Sequence, residues 1–123
     1  MNMWPTSGPE GTVTTEDRLR HILLAIQRID AGLAEPLVDD LRSCMAVERL
    51  LEIIAIASAQ LPASLKADPS VDWRRLAEMG EKLEHACNRV PAAELSRFSR
   101  QELPSLKTFA ERSLRERSHT NSL

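Results

Sequence analysis

The sequence DWRRLAEMGEKLEHAC, residues 72–87, carries a helical pattern around which the rest of the chain can be interpreted. Gly80 stands in its middle, where glycine costs a helix about 1 kcal/mol relative to alanine. A single histidine, His85, lies near its C-terminal end. The apolar residues recur at mixed steps of three and four, which is the spacing of one helix face: Trp73, Leu76, Ala77, Met79, Leu83 and Ala86. The pattern predicts a helix over residues 71–88, with Ser70 or Asp72 as its cap.

The composition favours an all-α fold. Apolar residues make up 42% of the 123-residue chain, but aromatic residues only 3%, so the core must be aliphatic. Leu, Ala, Glu and Arg, which are good helix formers, dominate, and there are four glycines. The length fits one domain. The composition therefore predicts an all-α fold, and the helices described below add up to an up-and-down bundle of four long helical segments, the last of them broken near Pro104.

Charge and cysteine content narrow the range of functions. Sixteen basic and 18 acidic residues give a net charge of -2, which does not favour nonspecific binding of nucleic acid. The longest apolar run, residues 53–57, is too short to cross a membrane, and no secretion signal is visible. Cys44 and Cys87 lack the spacing of metal ligands and suggest thiols in a cytoplasmic protein. No metal or cofactor is expected.

Two further helices are predicted before residue 72. Thr14 and Asp17 approximate a capping box for helix 1, which runs to about residue 31. Its apolar stripe comprises Leu19, Ile22, Leu23, Ile26 and Ile29. Helix 2 runs over residues 36–61, and from Leu50 onward it is apolar on more than one face, as in a central helix or one buried against a second subunit. Its packing residues are Leu37, Leu41, Met45, Val47, Leu50, Leu51, Ile53, Ile54, Ala57 and Leu61.

The C-terminal part is predicted as a broken helix. A short helix covers residues 91–102, and Pro104 starts a further helix, since proline fits the first helical turn. The charged segment from Arg115 onward is expected to fray. These features divide the chain into a flexible arm at 1–13, a helical bundle at 14–117 and a flexible tail at 118–123.

Three segments, in order, resemble the HepT-like family of HEPN domains. Residues 72–87 resemble the family's Trp-Arg-x-Ile/Leu-x-x-Met-Arg-Asn-x-Leu-Val-His-x-Tyr helix. The sequence RLLEIIAIA, residues 49–57, resembles Arg-Asn-Leu-Glu-Ile-Ile-Gly-Glu-Ala, and ELPSLK, residues 102–107, resembles Asp-Leu-Pro-x-Leu. The resemblance covers roughly residues 19–114.

The resemblance implies a small dimeric helical bundle found as a toxin beside an MNT-type nucleotidyltransferase antitoxin. It also implies metal-independent RNA cleavage at the dimer interface, by a motif of arginine, four to six residues, histidine, one residue and tyrosine. The histidine acts on a ribose hydroxyl or leaving oxygen, and the arginine grips the phosphate. His85 matches the motif's histidine.

This chain departs from the motif at its other positions. Gly80 replaces the arginine and Cys87 the tyrosine, while Glu81, Glu84, Leu50 and Ile56 stand at other characteristic positions. Leu50 and Ile56 replace polar residues of the family and are expected to make the inner surface of helix 2 more apolar, which suits packing. Glu81 lies four residues before His85, so the two can meet on one helix face. Lys82 is a possible substitute for the arginine, although it lacks the guanidinium fork. Arg74 and Arg75 are further candidates for contacting RNA.

Three functions stay open on these observations. The one we favour is a dimeric binding module, with its ribonuclease chemistry lost, that holds a nucleotidyltransferase-type partner. The alternative is a divergent metal-independent endoribonuclease toxin that uses His85 and binds RNA. The third is a role in positioning a nucleotide or another small molecule. Gly80 also has a simpler explanation, namely the close approach of another helix, and Cys87 that of a small packed residue.

Overall fold

A computed structural model of the protein describes residues 12–32, 41–85 and 90–121. Within these ranges the regular structure is entirely helical, which confirms the predicted all-α class. The helices are α1 (Thr15–Gly32), α2 (Leu41–Ala59), α3 (Ala63–Lys66), α4 (Trp73–His85) and α5 (Ala92–Asn121). Most of the predicted N-terminal arm, the predicted start of helix 2 at Pro36, and Cys87 lie outside the described residues.

The predicted capping box starts α1. The Asp17 backbone N–H donates to Thr14 Oγ1 at 3.1 Å, and the Thr14 N–H donates back to Asp17 Oδ2 at 3.0 Å. These two bonds satisfy backbone donors that the first helical turn leaves open. The Asp17 side chain is buried and also lies 3.8 Å from the Arg20 guanidinium. The local sequence therefore fixes where α1 begins.

Helix α2 is the centre of the described fold, because it packs against α1, α4 and α5, while α1 also packs against α5. It ends at Ala59, whose carbonyl accepts a hydrogen bond from Lys66 Nζ at 3.0 Å. A cation at this end also complements the helix dipole. Helices α1, α2, α4 and α5 supply most of the core, which is mainly aliphatic and includes Leu19, Ile22, Ile26, Ile29, Leu51, Ile54, Leu76, Leu95, Leu103 and Leu106, together with the aromatic Phe109.

Two of the residues predicted to pack or face inward on α2 do not. Met45 is 53% exposed and Ile56 is 57% exposed. The buried stripe of α2, which includes Val47, Leu51 and Ile54, faces its neighbouring helices. Met45 and Ile56 lie eleven positions apart, three helical turns, so they share the opposite face. The prediction that Ile56 adds to an inner surface is therefore wrong within the subunit.

The predicted break at Pro104 is also wrong, because α5 is one helix of 30 residues with Pro104 inside it. A proline in a helix interior costs about 3 kcal/mol through its missing N–H and its steric clash. Leu103 and Leu106, on either side of Pro104, are almost completely buried, as is Phe109. Burying side chains of this size contributes roughly 1.5–3 kcal/mol each, which outweighs the cost of the proline.

The C-terminal segment is also more helical than predicted. The residues from Arg115 onward were expected to fray, but α5 continues to Asn121. Residues 122–123 of the predicted tail lie outside the described residues, so the tail at 118–123 stays a prediction. Extending an existing helix requires no new nucleation, and Arg and Glu are good helix formers. No helix in the described ranges combines the length and the apolar character needed to cross a membrane.

Candidate functional site

The N-terminal half of α4 is fastened to α5. Asp72, one of the two predicted caps, accepts a hydrogen bond from the Arg75 N–H through Oδ1 at 3.2 Å. The Trp73 ring meets Phe109 edge to face, with centroids 5.0 Å apart, and its Nε1–H donates to the Asp68 carbonyl at 3.0 Å. Asp68 is also ion-paired with Arg112 on α5. Together with the packing of α4 on α2, these contacts set the position of the candidate residues on α4.

Farther along α4, Gly80 faces α2 at very short range. A Cβ atom built on Gly80 would lie 2.7 Å from the Cβ of Ala55. Real Cβ atoms do not approach each other this closely, so α2 and α4 can keep their spacing only if this residue is glycine. The explanation of Gly80 by the close approach of another helix is supported, and the approaching helix belongs to the same subunit.

A groove with a volume of about 380 Å³ runs between α2 and α4 around this contact. Small residues and Ile56 form its apolar part, while carboxylates stand along both helices. The lining residues are Glu52, Ala55, Ile56, Ala59, Ala77, Gly80, Glu81 and Glu84. No lysine or arginine is among them. The groove that contains the family's arginine position is therefore acidic.

The predicted RNA-binding cations lie elsewhere, and each is paired with a carboxylate. Lys82 and Arg75 line a separate cleft of about 240 Å³ beside α5. Lys82 Nζ lies 2.5 Å from Glu94 Oε1, and Arg75 Nε lies 3.3 Å from Glu102 Oε2. Arg74 is strongly exposed and pairs with Glu78 at 3.1 Å. Lys82 therefore does not stand in the groove where Gly80 has replaced the arginine.

His85 is at the end of α4 and exposed, with 66% of its side chain accessible. Its Nε2 lies 3.7 Å from Glu84 Oε2, so the carboxylate paired with it is Glu84 and not the predicted Glu81. Within the described part of the chain, His85 lines neither of the two clefts. The structure thus leaves His85 accessible and outside the cleft that Lys82 and Arg75 line.

Sequence reasoning missed Ala55, although a signal was present. The family pattern quoted above for residues 49–57 has glycine where this chain has Ala55. Where the family has glycine on one helix and arginine on the other, this chain has a methyl group on α2 and glycine on α4. Sequence reasoning treated the two helices separately, and only the packing of α2 on α4 shows that the two positions touch.

This all-helical fold, with a motif-bearing α4 packed on a central α2, is that of a HEPN domain, and the chain belongs to the HepT-like family. The family profile, described as Ribonuclease HepT-like, matches residues 19–113, which confirms the resemblance. The chain is similar to a Thermococcus cleftensis protein named "Probable ribonuclease HepT". The two are 35% identical over 97 residues, covering 75% of this chain and 88% of that protein. No solved structure matches this chain.

Proposed function

We propose that this protein is a homodimeric, protein-binding member of the HepT-like family that has lost ribonuclease chemistry and acts in the cytoplasm. Its partner is a nucleotidyltransferase of the MNT type. The observation that carries the loss of chemistry is the contact of Gly80 with Ala55. With only 2.7 Å between a Cβ at residue 80 and the Ala55 Cβ, the present helix spacing leaves no room for the arginine that would hold the phosphate.

The charge of the groove supports the same conclusion. Glu52, Glu81 and Glu84 line it, and no lysine or arginine is among the lining residues, although Glu52 is paired with Arg49 at 3.5 Å. Carboxylates repel a phosphodiester, and they destabilise the additional negative charge that develops when the phosphate is attacked. The nearby cations are held by their own carboxylates, as Lys82 is by Glu94 and Arg75 by Glu102. An RNA phosphate would have to displace these ion pairs before it was bound.

An RNA-cleavage assay without metal tests the loss of chemistry. We expect the wild-type protein to leave a single-stranded RNA intact, as His85→Ala does. A triple variant, Ala55→Gly/Gly80→Arg/Cys87→Tyr, restores the family motif and makes room for the arginine. Cleavage by the triple variant alone would show a retained scaffold with lost chemistry. Cleavage by the wild type that disappears in His85→Ala would refute the proposal.

Copurification tests the binding role. The protein is coexpressed with the nucleotidyltransferase encoded nearest to it in its genome, and the complex is measured by light scattering after size exclusion. We expect a stable complex that contains two copies of this chain. Separate elution of the two proteins at micromolar concentration would refute this partner, and it would leave the RNA-cleavage result unaffected.

The second candidate function is an endoribonuclease toxin that uses His85. Two observations favour it: His85 is exposed to solvent, and a 35% identical relative is named as a probable ribonuclease. An arginine would then have to come from elsewhere in the assembly. Growth arrest on expression that is abolished by His85→Ala would support this function, and unchanged growth arrest in that variant would exclude it.

A further inference from the structure

The exposed face of α2 carries two charged residues flanked by two apolar residues, with a spacing that is the same in both directions along the helix. It carries Met45, Arg49, Glu52 and Ile56, at steps of four, three and four residues, which place all four on one side of the helix. Both large apolar members are more than half exposed, at 53% for Met45 and 57% for Ile56. Val13 is the other exposed large apolar residue within the described ranges, and it lies outside any helix. We call these four residues the α2 face.

We propose that a second copy of this chain docks on the α2 face, with the two α2 helices antiparallel about a two-fold axis between Leu50 and Leu51. This inference rests on the homodimer of the proposed function and specifies its interface. In a two-fold contact, residue i meets residue j of the other copy and j meets i. Antiparallel helices centred between residues 50 and 51 bring Met45 opposite Ile56 of the other copy. The same register brings Arg49 opposite Glu52.

The charges of the α2 face fit this register. Within one subunit, Arg49 Nη1 lies 3.5 Å from Glu52 Oε2, and 72% of the Arg49 side chain is exposed. Across the two-fold axis, each arginine meets a glutamate and each glutamate an arginine, so the contact brings together two charges of each sign. A parallel pairing in register would instead set arginine against arginine. The charges therefore select the antiparallel orientation, while the apolar pairs at the two ends supply the burial.

The proposed interface also lies beside the groove. Glu52 and Ile56 belong to both the α2 face and the groove lining. A second copy on the α2 face therefore forms one wall of each groove, and the two grooves flank the dimer axis. This arrangement places the acidic lining, including Glu81 and Glu84, at the edge of the contact between subunits.

Sedimentation equilibrium of the full chain tests the interface through its apolar ends. We expect Ile56→Asp to raise the dimer dissociation constant on the order of a hundredfold, because a symmetric contact contains the substitution twice. The matched control is Val13→Asp, which also places a carboxylate at an exposed apolar position but away from the α2 face. Equal dissociation constants for the two variants would overturn the proposal. Thermal unfolding by circular dichroism verifies that both variants fold.

A charge exchange tests the register. Arg49→Glu and Glu52→Arg should each weaken the dimer about tenfold or more, because each sets like charges against each other across the axis. The double variant should restore the dimer, since it recreates the same pairs with the charges exchanged. The control exchange at Arg74 and Glu78, an exposed pair on α4, should change nothing.

The outcomes separate this inference from the proposed function. A wild-type dimer that is insensitive to all α2 variants would refute this interface and leave the homodimer intact. A monomeric wild type would refute both, and the α2 face would then be available to a different protein. Weakening by either single charge variant without recovery in the double variant would overturn the antiparallel register.

Discussion

The N-terminal and C-terminal halves of α4 differ in the contacts that attach them to the rest of the fold. The N-terminal half is fixed by specific contacts: Trp73 packs on Phe109, and Asp68 links it to Arg112 on α5. The C-terminal half presents carboxylates and an exposed histidine to solvent, is tied to α5 by the exposed Lys82–Glu94 ion pair, and packs on α2 where Gly80 faces Ala55. The half that keeps the family's structural residues is the anchored one. The half that departs from the family's chemical residues is the one that lines the open groove.

This contrast shows that scaffold and chemistry can change independently along one helix. Trp73, Leu76 and Met79 match the family pattern and meet the core. Gly80, Glu81 and Glu84 depart from the pattern and line the groove. Glu81 and Glu84 are exposed, so substitutions at these two positions cost little folding free energy. We therefore expect substitutions of the core-facing residues in the first half to affect stability, and substitutions of Glu81 and Glu84 to affect binding and assembly. Gly80 is the exception in the second half, because it packs against Ala55.

The largest loss of unfolding free energy in α4 should come from Trp73→Ala. This change removes the edge-to-face contact with Phe109 and the hydrogen bond to the Asp68 carbonyl, so we expect a loss of roughly 3 kcal/mol of unfolding free energy. Urea denaturation measures the loss. Trp73→Phe is the matched variant, because it keeps an aromatic ring and should lose only about 1 kcal/mol with the hydrogen bond. Equal losses in both variants would contradict the role given to the ring contact.

The next largest effect is that of Gly80→Ala on the unfolding free energy, and its sign should depend on the residue at position 55. Gly80→Ala should destabilise by about 1 kcal/mol, because overpacking against Ala55 costs about 1–3 kcal/mol and the gain in helix propensity returns about 1. In an Ala55→Gly background the same substitution should stabilise by about 1 kcal/mol, since only the propensity gain remains. Thermal unfolding of the double-mutant cycle measures the coupling.

Gly32→Ala is the control for this cycle. A Cβ atom at Gly32 meets nothing within 4 Å, so the substitution should be neutral or slightly stabilising in both backgrounds. Additive effects of the changes at positions 55 and 80 would mean that α2 and α4 adjust their spacing at no cost.

A smaller effect concerns Asp68 and depends on pH. Hydrogen bonds from the Ser70 side chain and backbone N–H lower the pKa of Asp68 below its usual value of 3.8, and Arg112 lowers it further. A lowered folded-state pKa means that the ionised carboxylate adds stability above the unfolded-state pKa. This contribution is lost as the pH falls through the folded-state pKa. The wild type should therefore exceed Asp68→Asn in stability at pH 7, and the difference should shrink below about pH 3.8.

The smallest effect should come from the exposed ion pair on α4. The Arg74 side chain is 88% exposed where it pairs with Glu78, so Arg74→Ala should change the unfolding free energy by no more than about 0.5 kcal/mol. The measurement is urea denaturation at low and high salt, which should agree within error. A larger loss would mean that Arg74 makes a contact beyond this pair.

The sequence predicted what depends on neighbours along the chain. The capping box of Thr14 and Asp17 formed as expected, and the apolar stripe of α1 is buried or partly buried. These features follow from local hydrogen bonding and helical periodicity. The same rules failed at Pro104, because a local cost gave way to the burial of Leu103 and Leu106 in the tertiary core.

The candidate site was predictable only in part. The identity of His85 and the replacement of the family's arginine by Gly80 could be read from one helix. Helical periodicity also places residues 80 and 82 on different faces, because residues two apart do not face each other. Which helix each of them meets could not be predicted, because those neighbours are known only from the packing. The contact between Ala55 and Gly80 likewise joins residues that are far apart in sequence.

That contact also bears on the history of the protein. An arginine at residue 80 and a methyl group at residue 55 compete for the same space. With alanine at residue 55, a mutation of Gly80 to arginine would give a less stable protein. A first mutation of Ala55 to glycine would also reduce stability, because glycine costs a helix about 1 kcal/mol. Return to the family's motif therefore passes through a disfavoured intermediate in either order. The close packing of two small residues therefore acts as a barrier that opposes an arginine at residue 80, whatever selection acts on the protein's chemistry.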